Sequence, residues 1–145
     1  MRIKSTGFTY NNKHSSAFDI RITDINLPLP ESKEIRETVP HMDGDYDFTN
    51  AYGPTKFNNR KITIDGFVIP EINQRMMQLK REIETWLYNV GWLELTVDYD
   101  EEYYYIAKCN SCTCKLNVKE KRLDINIDFE AKPKAISKLD GKAVL

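Results

Sequence analysis

The sequence predicts a mainly β fold of the α+β kind, an antiparallel β-sandwich or barrel with one amphipathic α-helix over about residues 71–90. Three observations predict it. Apolar and polar residues alternate with period two in four separate stretches, the pattern of strands that bury one face and wet the other. This half-buried alternation belongs to antiparallel sheets, because strands of a parallel sheet are covered on both faces and read as continuous apolar runs. One stretch alone switches to spacings of three and four, the mark of a helix with one apolar stripe.

In chain order, "GFTYNNKHSSAFDI" opens the fold with a strand, and Phe18, Ile20 and Ile22 alternate in "AFDIRITDI". The turn cluster "LPLPESK" follows, and from Met42 to Asn59 no periodicity is seen. Loops beyond about 12–15 residues in a compact domain are commonly functional, so this segment is a candidate site. Ile62 and Ile64 resume alternation in "RKITIDGFVI". Ile72, Met76, Leu79, Ile83, Trp86, Leu87 and Val90 form the helical stripe, with Pro70 suited to its start and Gly91 to the left-handed position past its end. Twenty residues at ~1.5 Å each make a rod of about 30 Å, enough to cover a sheet face or an open barrel end.

Leu93, Leu95, Val97 and Tyr99 give the next strand, and Tyr103, Tyr104 and Tyr105 start another with rings alternating between core and surface. In "CNSCTC", Asn110-Ser111 suits a short hairpin turn. Cys112 and Cys114 then share a strand face with Leu116 and Val118, where thiols behave as small apolar groups. Leu123, Ile125, Ile127 and Phe129 alternate with charged and amide residues in the last clear strand, and alternation stops after Pro133. The expected organisation is one domain over residues 1–133 and a C-terminal extension over 134–145 that docks on a neighbour.

Lys and Arg total 21 against 22 Asp and Glu, a formal net charge of −1, which argues against a polyphosphate or duplex binder. "MRIKSTGFTY" has no continuous apolar run, and nowhere do 18 apolar residues follow one another, so neither a signal peptide nor a membrane span is expected and the chain reads as cytosolic when made. Three cysteines confined to one segment cannot staple the chain end to end.

"DGDYD" has the alternate carboxylates that open a calcium loop, yet the sixth and twelfth positions from Asp43 hold Phe48 and Pro54 in place of glycine and a bidentate glutamate. A polar turn is the better reading, and no metal is expected. The acids of "DYDEEYYY" crowd one turn signal, whereas a glycosidase pair must flank a cleft about 5–9.5 Å wide. No Ser/His/Asp set, phosphate loop or nucleophile motif can be assembled, so no catalytic residue and no cofactor is expected. Exposed rings among Tyr103, Tyr104 and Tyr105 are the candidate contacts to a partner or, in an alternative reading, to the sugars bound by a free-standing carbohydrate-binding β-sandwich.

The order of the pieces resembles the distal tail protein, or baseplate hub, of long flexible-tailed bacteriophages, specifically its ring-forming N-terminal domain. Phe8, Tyr10 and Asn11 in "FTYNN", Val39-Pro40 with Asp43-Gly44 and Tyr46, Arg60, Ile62 and Gly66 in "NNRKITIDG", Trp86-Leu87 before Gly91, and "DYDEEYYYIAK" carry the likeness over residues 3–133. His41 stands where the family often has glycine, and about a dozen residues follow Pro133, so no second carbohydrate-binding domain is expected.

The resemblance implies a structural, non-enzymatic protein of the virion tail, assembled in the host cytoplasm. Six copies are expected to close a ring joining the tail-tube protein to tail-tip, tail-associated or receptor-binding proteins, with the genome passing through the centre. Val39, Pro40, Asp43, Gly44, Asp45, Tyr46 and Asp47 are then the expected assembly loop. No sequence-specific nucleic acid or membrane partner is implied.

Overall fold

A computed structural model describes residues 7–33, 36–38, 45–47, 56–70 and 75–145, with 36–38 and 45–47 described by backbone alone. The strands are β1 (Phe8–Tyr10), β2 (Lys13–His14), β3 (Arg21–Asn26), β4 (Arg36–Thr38), β5 (Asp45–Asp47), β6 (Arg60–Val68), β7 (Leu93–Val97), β8 (Tyr103–Asn117), β9 (Arg122–Ala131), β10 (Ala135–Ser137) and β11 (Ala143–Val144). One helix, α1 (Met76–Leu87), lies between β6 and β7. The main sheet runs β2-β1-β7-β8-β9-β6-β3, all neighbours antiparallel, with β10 and β11 added beside β8. The alternation read from the sequence and the antiparallel sheet agree.

This sheet curls on itself. β1 and β9 are three places apart, which in a flat sheet is about 14 Å. Yet the rings of Tyr10 and Phe129 meet edge to face at 4.9 Å between centroids, and those of Phe8 and Phe129 at 6.0 Å. The interior so enclosed is filled by Phe8, Tyr10, Leu95, Val97 and the inward residues of β6, β8 and β9. Across β6 and β9, Ile62 faces Phe129, Ile64 faces Ile127 and Val68 faces Leu123, all of them buried. α1 closes this core with Leu79, Ile83, Trp86 and Leu87.

Four local expectations change. Phe18 lies on a 3-10 turn, Ser15–Phe18, and the strand starts at Arg21, because Asp19 takes a left-handed φ of 55° that breaks the extended chain. Tyr99 lies on a 3-10 turn, Asp98–Asp100, and is 80% exposed, so β7 stops at Val97. α1 ends at Leu87 and not near residue 90: Tyr88 turns extended and bridges Cys109, and Asn89 takes the left-handed position with φ 60°. Asn tolerates that conformation through its short polar side chain. Gly91, with φ 88°, makes a second left-handed step two residues later.

Asn110-Ser111 forms no hairpin. β8 is continuous, and the register slips between Cys109 and Ser111, leaving Asn110 as a bulge. An extra residue shifts parity by one. Tyr105, Ala107 and Cys109 therefore point inward before it, and Cys112, Cys114 and Leu116 after it, opposite Ile127, Ile125 and Leu123. Val118 falls beyond the strand and is exposed.

Residues after Pro133 pair with their own sheet: Ile136 faces Tyr104, Ala135 faces Val144, and Lys138 donates its N–H to the Glu102 carbonyl at 2.9 Å. Pro133 lacks an N–H and interrupts the β9 ladder, which β10 resumes on the same strand, β8.

At Gly66 the sheet needs a missing side chain. A Cβ there would stand 2.6 Å from the Arg21 carbonyl oxygen of β3, and backbone on both sides cannot yield cheaply. Gly66→Ala is expected to cost about 1–3 kcal/mol, the ordinary cost of overpacking. Urea unfolding followed by circular dichroism checks this, and a neutral result would show that β3 is free to shift.

Candidate assembly interface

The described residues between β3 and β6 include paired backbone that the aperiodic sequence does not announce. At its base the chain pairs with itself: Lys33 donates to the Lys56 carbonyl at 2.8 Å, Asn58 to the Glu31 carbonyl at 2.7 Å, and Ser32 bridges Phe57. Farther out, β4 and β5 form a separate two-stranded ribbon, with Arg36 opposite Asp47, Glu37 opposite Tyr46 and Thr38 opposite Asp45. Asp45, Tyr46 and Asp47 of the expected assembly loop are therefore strand residues. Val39, Pro40, Asp43 and Gly44 lie outside the described residues.

The tyrosine triplet divides. Tyr105 is core: its ring is buried beneath the Arg60 guanidinium, 5.1 Å from the centroid, and burial pushes its phenol above the ordinary value. Tyr103 and Tyr104 are half-buried at the start of β8, beside β10. A partner or sugar contacting this triplet thus meets two rings and not three. Arg60 is itself 3% exposed, and its Nε and Nη2 donate to the Pro133 carbonyl at 3.1 and 2.6 Å. Among the described residues no carboxylate pairs with it.

"DYDEE" is not uniformly solvated. Asp98 is tucked in, with Oδ2 2.8 Å from His14 Nε2 and accepting the Gly7 N–H at 2.9 Å. His14 Nδ1 in turn accepts the Ser16 N–H at 3.1 Å. The acid thus fixes the β1–β2 turn against the end of β7. Tyr10 ties the same region from inside, its hydroxyl sharing its one proton between the Gly91 and Ala107 carbonyls at 2.9 and 3.2 Å, and burial followed by the charge of Cys109 pushes its pKa up to about 12. Cys109 is pushed up to about 11, by burial and then by Asp128.

Neither Asp98 nor Arg60 was singled out for burial by sequence reasoning. For Arg60 a signal existed, since it opens the inward series 60, 62, 64 of β6. For Asp98 there was none: its partner His14 is 84 residues away.

A curled antiparallel sheet ends at β3, which among the described residues pairs only with β6, and β4 and β5 pair as a separate ribbon in the segment that joins these two strands. No helix among the described residues is long and apolar enough to cross a membrane. The chain belongs to the phage tail protein RIFT-related domain family, whose sequence profile matches residues 20–138. Among solved structures it is similar to the SPP1 Dit protein, described as a paradigm of the hub adsorption apparatus in phages that infect Gram-positive bacteria. That match has a TM-score of 0.71 and 13% identity over 92% of this chain and 53% of the other. The likeness is one of fold, and the chain spans about half the length of the SPP1 protein. No curated protein matches the sequence.

Proposed function

We propose that the chain is a structural hub of a phage or prophage tail, six copies of which close into a ring between the end of the tail tube and the tail-tip or receptor-binding proteins. The family match over residues 20–138 carries this reading, and the fold shared with the SPP1 hub protein supports it. A heterologous interface whose rotation closes gives a cyclic ring with two different faces, which is what an adaptor between unlike partners needs. The β4–β5 ribbon and residues 39–44 between its strands are the proposed subunit or ring-to-ring contacts. Their acids also suit a channel wall that does not trap phosphates.

Light scattering and electron microscopy test the reading: a ring of about 102 kDa, six times the 17.0 kDa chain, is expected alone or with the tail-tube partner. A particle that remains at 17.0 kDa with that partner present would end it. Replacing Asp43, Asp45 and Asp47 together by Asn is expected to abolish ring closure or genome delivery while the chain stays folded by circular dichroism. Normal rings and normal delivery in that variant would remove the loop from the mechanism.

A further inference from the structure

A cleft of about 640 Å³ opens between α1 and the segment that runs from Asn11 to Phe18. One side is the exposed stripe of α1, Gln78, Arg81, Glu82 and Thr85, whose spacing of three and four places it on one helical face. The other side carries Lys13 and the rings of Phe18 and Trp86, 5.0 Å apart between centroids. The two sides are fixed to each other: the Asn11 side-chain amide donates to the Trp86 carbonyl at 3.0 Å, and the Trp86 indole donates to the Tyr10 carbonyl at 2.7 Å. A cleft held open in this way loses little freedom when it is filled.

Its lining is positive on balance. Lys13 and Arg81 stand against Glu82, and among the described residues neither cation is ion-paired. The Lys13 ammonium lies 5.5 Å from the centre of the Phe18 ring, a contact that holds the charge at the cleft without neutralising it. The β4–β5 ribbon has the opposite balance, with Glu37, Asp45 and Asp47 against Arg36. Asp45 and Asp47 are alternate residues of one strand, so their positions are about 7 Å apart along it. Cleft and ribbon are built from different elements, as a heterologous contact between like copies requires.

We propose that this cleft receives the β4–β5 ribbon of a second copy, Lys13 and Arg81 meeting Asp45 and Asp47 of that copy. The aromatic rings exclude water beside the pairs, and attraction between charges grows as the surroundings become less polar. The proposal rests on the reading of the chain as a closed ring, and it names the surface that the ribbon meets there. Each copy gives its ribbon to one neighbour and takes a ribbon from the other, so one contact repeats around the ring.

Linking assembled mixtures of isotope-labelled and unlabelled wild-type copies with a carbodiimide, which joins a lysine to a carboxylate without a spacer, tests this. A link from Lys13 to Asp45 or Asp47 is expected in peptide pairs of mixed isotope. Links confined to one isotope would put the chain's own ribbon in the cleft, and their absence would leave the cleft to another occupant; either result overturns the proposal. Lys13→Glu combined with Arg81→Glu is expected to raise the concentration at which rings dissociate at least about tenfold, because like charges then face each other. Adding Asp45→Lys and Asp47→Lys should bring that concentration back to within about threefold of the wild-type value, the signature of coupled positions. Unchanged rings in the cleft variant, or no recovery in the combined one, overturn this contact and leave the hub reading standing. A wild-type chain that forms no ring even with the tail-tube partner ends both.

Discussion

Trp86→Ala is expected to lower stability by about 3–5 kcal/mol, the range for removing a buried aromatic side chain. The indole stacks on Phe8 at 5.5 Å and 11° and leans on Phe18 at 5.0 Å, so one truncation opens a cavity between α1, β1 and the Ser15–Phe18 turn. It also removes the Nε1–H donated to the Tyr10 carbonyl at 2.7 Å. In a chain of this length such a loss corresponds to a fall in melting temperature of roughly 10–15 °C. Trp86→Phe keeps most of the stacking and loses the donor, and should fall between the two. A calorimetric scan of the three proteins separates packing from hydrogen bonding, and a fall below about 4 °C for the alanine variant would mean that α1 is not part of the cooperative core.

Arg60→Ala is expected to cost about 2–4 kcal/mol, whereas Arg60→Met should cost at least about 1 kcal/mol less. The guanidinium fills the junction between β6 and the end of β9, giving two N–H bonds to one carbonyl and its face to the Tyr105 ring. Alanine removes both the volume and the donors. Methionine restores most of the volume, and burying no charge offsets part of what the Pro133 carbonyl loses. Urea midpoints decide the matter. If methionine proves as damaging as alanine, the charge at position 60 matters more than its packing.

These two residues also show what the sequence could convey. β9 was legible because alternation over Leu123–Phe129 is a property of one strand with one wet face. α1 was legible for the same kind of reason, its stripe recurring as buried Leu79, Ile83, Trp86 and Leu87. The bulge at Asn110 was not, since a parity change is defined only against the neighbouring strand, and a polar dipeptide between cysteines fits a turn equally well. Phe18 and Tyr99 kept perfect alternation with their neighbours and still left the sheet, each on a 3-10 turn. Local spacing carries no notice of where a strand runs out of partners. The candidate loop was visible as an aperiodic stretch, but the pairing of Glu31–Lys33 with Lys56–Asn58 was not, because its halves are more than twenty residues apart and neither alternates.

That pairing carries a consequence for how such a protein diversifies. The excursion leaves and returns through one clamped gateway, so its far end is tethered at both sides of a single point. The entropy of closing a loop grows only logarithmically with its length. Lengthening, trimming or exchanging the outer segment therefore carries little entropic cost, while the strands that the gateway joins keep their register.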